Sequence, residues 1–264
     1  MTDTPAPRLT IALAGMTDRL DRLTPETLPP LPGVVWHLFI QGPADRVAAA
    51  RPRLTAEGRR RDIRLSALES RGVARSRNAA LAAVETELLL FADDDLTFHP
   101  AGIAALIDRF DRLPGADLLC ARLTDETGRP RKRYVPDGTP LRWFNCGRVG
   151  TPELALRPAR VRAAGVRFDP AFGAGQPDWM GDEYIFLCDA LRAGLRGWHV
   201  DIVPASHPAE SSGLRQSPEA MAVRRRVLIR ALGRGRSLAV RLAFAWRHRR
   251  SLDGWRSWLA FLRP

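Results

Sequence analysis

Short apolar runs alternate with polar, turn-rich stretches through the first two thirds of the chain. Arg-Leu-Thr-Ile-Ala-Leu-Ala at 8–14 and Val-Val-Trp-His-Leu-Phe-Ile at 34–40 have strand length and close on the turn formers Gly15 and Gly42-Pro43. Both predict buried strands. The Pro-interrupted but helix-permissive stretch 18–32 and the Ala- and Arg-rich stretch 44–58 read as crossovers between strands. A third strand is predicted at 62–68, a helix at 76–83 where β-branched residues are few, and a fully apolar fourth strand at 87–92. Beyond it the pattern predicts a helix at 101–113 and a strand at 116–122, then a loop or hairpin excursion at 124–140. A strand at 149–156, a loop at 168–180, a helix at 181–192 and a strand at 198–203 complete the series. Such alternation predicts an α/β fold with a mostly parallel sheet flanked by helices on both faces.

The fourth predicted strand runs directly into Asp93-Asp94-Asp95. In open α/β sheets ligands bind at the carboxyl ends of strands. Three adjacent carboxylates repel one another unless a cation neutralises them, and hard oxygen ligands suit Mg2+ or Mn2+. Upstream, Arg71-Gly72-Val73-Ala74-Arg75-Ser76-Arg77-Asn78 lies between a strand and an Ala-rich helix. Arginines at a helix start, with a glycine that permits close backbone approach, suit a phosphate or a nucleotide edge.

Together, Arg71 to Asn78 with the following Ala-Ala-Leu, and Leu-Leu-Leu-Phe-Ala before the acidic triplet, resemble the RN helix and DxD strand of family 2 glycosyltransferases. A third element is similar as well: Phe168-Asp169-Pro170-Ala171-Phe172-Gly173, then Gly181-Asp182-Glu183-Tyr184, resembles that family's acceptor-side loop and Gly-Glu-Asp helix start. The resemblance covers roughly residues 8–215 and implies the GT-A (Rossmann-like) fold, as a catalytic domain over 1–215 with a helical extension over 216–264. By the resemblance, Asp93 and Asp95 bind metal and donor diphosphate, with Asp94 the variable middle position. Arg77 and Asn78 hold the donor, joined by Arg71 and Thr17, and His207 after the last core strand completes the metal shell. The general base falls on Glu183 or Asp182, because the family's Gly-Glu-Asp is Gly-Asp-Glu here. Trp179 and Gly173 lie on the acceptor side, and Ser211-Ser212-Gly213 is a candidate closing loop. One carboxylate base without a covalent step implies inversion at the sugar carbon. The implied function is transfer of a sugar from a nucleotide-sugar of the nucleoside diphosphate type to a hydroxyl of a glycan or lipid-linked acceptor, in bacterial polysaccharide, lipopolysaccharide or other glycoconjugate synthesis.

Two rivals use the same residues. Apolar strand plus Asp93-Asp94-Asp95-Leu96-Thr97 also satisfies the signature of haloacid-dehalogenase-like phosphatases, with Asp93 as nucleophile and Asp95 as general acid. That chemistry needs a buried lysine, and the chain's single lysine, Lys132, sits in Arg-Pro-Arg-Lys-Arg. The net charge of +12 over 264 residues raises nucleic-acid binding, but 12 arginines against Glu219 and Asp253 place +10 of it after residue 215. The body is nearly neutral, so no nucleic-acid partner is expected. The basic tail interleaves its arginines with Leu238, Leu242, Phe244, Trp246, Leu252, Trp255, Trp258, Leu259 and Leu262. That mixture suits the headgroup region of an anionic bilayer. Three scattered cysteines predict neither disulfide nor metal framework. With no signal-like start and no uncharged run of spanning length, a cytoplasmic chain, peripheral on the inner face of the cytoplasmic membrane, is expected.

Overall fold

A computed structural model describes residues 6–208, 217–247 and 254–262. Its order is β1 (Leu9–Met16), β2 (Val34–Gln41), α1 (Ala44–Leu54), β3 (Ile63–Leu68), α2 (Val73–Ala83), β4 (Leu88–Ala92), β5 (Thr97–Phe98) and α3 (Pro100–Arg112). Next come β6 (Leu118–Cys120), β7 (Leu123–Thr124), β8 (Leu154–Leu156), α4 (Pro158–Ala163), α5 (Asp182–Arg192), β9 (Gly197–His199), β10 (Ala205–Ser206), α6 (Pro218–Arg247) and α7 (Gly254–Leu262). Seven strands form the main sheet in the order β3-β2-β1-β4-β8-β6-β9, and β5-β10-β7 form a small second sheet. In the main sheet pairing is parallel except where β8 lies between β4 and β6, antiparallel to both; in the small one β10 is antiparallel to β5 and parallel to β7.

Period-two alternation with both faces covered explains the apolar strands. Leu9, Ile11 and Leu13 of β1 and Leu88, Leu90 and Ala92 of β4 point into one core, shared with Val47 of α1 and Ile103, Leu106 and Phe110 of α3. Ala12, Leu89 and Phe91 point the other way, toward α2, α4, α5 and the first half of α6. The stretch set apart in sequence as an extension thus contributes Val223, Val227 and Ala231 to the second core. Gly233 (φ 77°, ψ 165°) breaks α6 into two helices. Beyond the break, Ala245 and Phe261 pack with Met221 in a third small cluster. All three cysteines are buried and free. Among the described residues no helix is long and apolar enough to cross a membrane.

Candidate active site

Strand direction assembles the site. β1 and β4 are parallel neighbours, so Thr17 and Asp93, the residues that follow them, emerge at one edge of the sheet. β8 runs the opposite way, with Leu89 paired to Leu156 and Leu90 to Ala155. Its beginning therefore lies at that same edge, and the 3-10 turn Thr151–Glu153 that precedes it joins Asp93 there.

At this edge the Asp94 side chain is buried against Arg19 of the 3-10 helix that follows β1, at 3.3 Å. Burial pushes the Asp93 carboxyl up, Arg77 pulls it down, and the like charge of Asp95 adds to the rise. Asp95 Oδ1 lies 3.4 Å from His207 Nε2. The other ring nitrogen of His207, Nδ1, is 2.9 Å from the carbonyl oxygen of Pro208. A carbonyl only accepts, so Nδ1 donates to Pro208 and Nε2 is the ring nitrogen that faces Asp95. Among the described residues no three His, Cys, Asp or Glu side chains form a group placed to hold a metal ion by themselves. Mg2+ is commonly held by one or two carboxylates plus substrate phosphates, so an incomplete protein shell fits a cation that arrives with a diphosphate. Thr17 packs against Gly42, whose φ of +134° leaves no room for a side chain: a Cβ there would stand 2.3 Å from Thr17 Oγ1. Arg71 is exposed ahead of α2.

Beneath this edge lies a buried ionic cluster. Arg77, its side chain 7% exposed, pairs with Asp182 and lies 3.5 Å from Glu183 Oε1. Both acids open α5, where the left-handed Gly181 (φ 86°) starts the helix. They are not equivalent: the Asp182 side chain is 4% exposed and that of Glu183 is 22% exposed. Burial and the like charge of Glu183 outweigh Arg77 at Asp182 and raise its carboxyl. Burial opposes ionisation of Glu183 too, but Arg77 and a hydrogen bond from Thr151 outweigh it and hold that carboxyl below its ordinary range. The Thr151 Oγ1 to Glu183 Oε1 distance is 2.6 Å, and Thr151 itself is buried. Asn78 places both ends of its amide on the backbone of Phe168, donating to its carbonyl and accepting from its N–H, each at 2.8 Å. Arg77 and Asn78 therefore bind α2 to α5 and to the loop that starts at Phe168.

That loop needs its glycine. Gly173 has a φ of +95°, and a Cβ there would stand 2.8 Å from Asp182 Cγ and 2.9 Å from Val73 Cγ1. Trp179 is 36% exposed just ahead of Gly181. Trp143 and Phe144 are 42% and 69% exposed, and Tyr184 Oη in the first turn of α5 donates to the Trp143 carbonyl at 3.0 Å. Sequence reasoning missed this pair and Thr151; Trp-Phe in a polar, Pro-containing loop was the one signal available. Lys132 is committed elsewhere, to Glu153 Oε2 at 2.6 Å and to the carbonyl of Arg148. Ser211-Ser212-Gly213, and Arg249, Arg250 and Leu252 of the tail, lie outside the described residues.

The profile of glycosyl transferase family 2 matches residues 44–164, which contain the α2 start, the acidic triplet and Thr151. That stretch, somewhat under half of the chain, is similar to the family. No curated protein sequence matches the chain. Among solved structures, S. aureus TarS 1-349 superposes with a TM-score of 0.64 at 15% identity, over 92% of this chain and 72% of that one. The same fragment crystallised with UDP-GlcNAc gives a TM-score of 0.62 at 16% identity, over 96% and 78%. Against the longer TarS crystal structure (TM-score 0.62, 14% identity, 93% of this chain) this chain spans 44% of the length. The fold is GT-A, its mixed sheet flanked by helices on both faces.

Proposed function

We propose that this chain is an inverting glycosyltransferase that moves a sugar from a nucleoside-diphosphate sugar to a hydroxyl of a glycan or lipid-linked acceptor. The observation that carries the reading is the meeting, at one sheet edge, of Asp93 and the Asp95–His207 pair with an ionised, half-buried Glu183 that Arg77 and Thr151 orient. The UDP-GlcNAc complex of the TarS fragment supports a uridine nucleotide-sugar as the first donor to try.

Glu183 is the base in this reading. It is the more exposed of the two acids, it is held ionised by Arg77, and Thr151 occupies one carboxylate oxygen, leaving the other to take the proton of the acceptor hydroxyl. Asp182 lies under Gly173 against Arg77 and anchors the start of α5. Asp95 and His207, with Asp93, would hold Mn2+ or Mg2+, which when bound offsets charge on the departing diphosphate. Thr17 and Arg71 border the donor edge, whereas Arg77 and Asn78 act on it indirectly by fixing the floor beneath. The exposed Trp179, ahead of Gly181, and the exposed Trp143 and Phe144, tied to α5 through Tyr184, offer aromatic faces to an acceptor sugar.

The test is release of nucleoside diphosphate from a panel of nucleotide-sugars that includes UDP-GlcNAc, with and without Mn2+, by the full chain and by Glu183→Gln. Metal-dependent turnover that falls by about 100-fold or more in the variant, with donor binding kept, is expected. Failure of every nucleotide-sugar to bind or turn over overturns the reading. Trapping of a phosphoryl group on Asp93 from a phosphomonoester would assign the site to phosphatase chemistry instead.

A further inference from the structure

The second half of α6, past the break at Gly233, is amphipathic in the wrong sense for water. Its inward stripe is Ser237, Arg241 and Ala245, exposed by 0%, 2% and 0%. The polar members are satisfied there: Ser237 Oγ donates to the Arg234 carbonyl at 2.8 Å, and Arg241 Nη1 donates to the Phe261 carbonyl at 2.8 Å. One position further along, the stripe Leu238, Leu242 and Trp246 is 43%, 52% and 69% exposed. Ala239 and Ala243 lie beside it and are exposed as well. Residues four apart share a helix face, so this face presents leucine, alanine and tryptophan to the outside while arginine and serine point in. Leu259 on α7 is a further exposed leucine, at 46%. An apolar stripe so displayed marks a surface that something apolar covers.

Charge identifies the cover. Residues 216–264 hold 12 arginines and two acids, and Arg234 and Arg236 are exposed at the start of the apolar helix face. A second copy of the chain would bring the same positive charge to the contact. An anionic bilayer supplies apolar depth and negative headgroups together, and tryptophan favours the boundary between them. We infer that the face formed by Leu238, Leu242 and Trp246 docks on an anionic membrane surface, lying in the headgroup region with the neighbouring arginines on lipid phosphates. The inference uses none of the catalytic residues, so its failure would leave the transferase reading untouched.

The test is flotation of the full chain with vesicles of phosphatidylcholine alone and of equal parts phosphatidylcholine and phosphatidylglycerol. Partitioning onto the anionic vesicles about tenfold or more above the neutral ones is expected, weakening with salt. The L238Q/L242Q/W246Q variant, altered only at exposed positions, should keep its melting temperature and lose about tenfold or more of the partitioning. R234E/R236E, which leaves the apolar stripe intact, should weaken anionic binding without changing the slight binding to neutral vesicles. Equal partitioning of wild type and the triple variant overturns the inference, as does indifference to lipid charge. So does a wild-type dimer that the triple variant converts to monomer in the absence of vesicle binding, which would assign the face to a second copy.

Discussion

Replacing Arg77 with Met removes the one guanidinium that touches both Asp182 and Glu183. The three side chains are 7%, 4% and 22% exposed, so little water reaches the acids to replace the lost charge. Deleting one partner of a buried ion pair costs about 3–5 kcal/mol, because the partner left behind is a buried, uncompensated charge. In a domain of this size each 1 kcal/mol moves the melting temperature by about 2–4 °C, so a fall of about 6–20 °C is expected. The loss should grow with pH. Without Arg77, burial and mutual repulsion raise the folded-state carboxyl of Asp182 further above its unfolded value. The variant is then least penalised in acid, where that carboxyl holds its proton, and loses stability as pH rises through the folded-state value. Denaturant unfolding of wild type, Arg77→Met, Asp182→Leu and the double variant, each at acid and neutral pH, completes the cycle. The double variant should be more stable than the sum of the single losses predicts, since it buries no lone charge from that pair. A single Arg77→Met loss under about 1 kcal/mol that is flat with pH would refute the reasoning.

Two further outcomes are expected. Thr151→Val keeps the shape of the side chain and removes the hydrogen bond to Glu183, so the turnover rate should fall about 10-fold to 100-fold with donor binding unchanged, and Thr151→Ser should restore it; a serine variant as damaged as the valine one would sink the idea. Burial lowers His37 and His199, each to about 4, with nearby cationic side chains adding to the effect. Unfolding releases both rings to their ordinary value, so the stability they contribute is complete above about pH 6.5 and is lost as pH falls toward about 4, on the order of 2 kcal/mol for the pair after solvent screening. Melting curves that do not move across that window would contradict the assignment.

The first four strands were legible because an apolar run buried on both faces leaves a plain signature, and β1 to β4 fall within two residues of the expected bounds. The strand expected at 198–203 pairs in the main sheet only at Gly197–His199. Beyond it the chain leaves the sheet edge, with Asp201 held by Arg122, and pairs again as β10 in the small sheet. The helix expected at 76–83 starts three residues earlier, since Gly72 with φ +107° opens it and Val73 to Arg75 lie in its first turn. The direction of β8 was not legible at all: apolarity tells that a strand is buried, not which way it runs. For that reason Thr151 stayed unseen, because only an antiparallel β8 carries the residues before it to the edge where Asp93 emerges. The order of Asp182 and Glu183 was in plain view, yet their different burial depends on Gly173 and Arg77, which come from distant parts of the chain.

Lys132 has a use outside catalysis. Its ammonium holds Glu153, whose other oxygen accepts from Tyr134, so one side chain pins the excursion after β7 to the turn that carries Thr151. It is also the chain's single lysine. An amine-directed acylating reagent thus has one side chain to find, and it reacts with the amine only when that clasp opens. The rate of acylation at Lys132, read by mass spectrometry with and without nucleotide, becomes a one-site clock for how often the excursion after β7 lifts from the turn that carries Thr151.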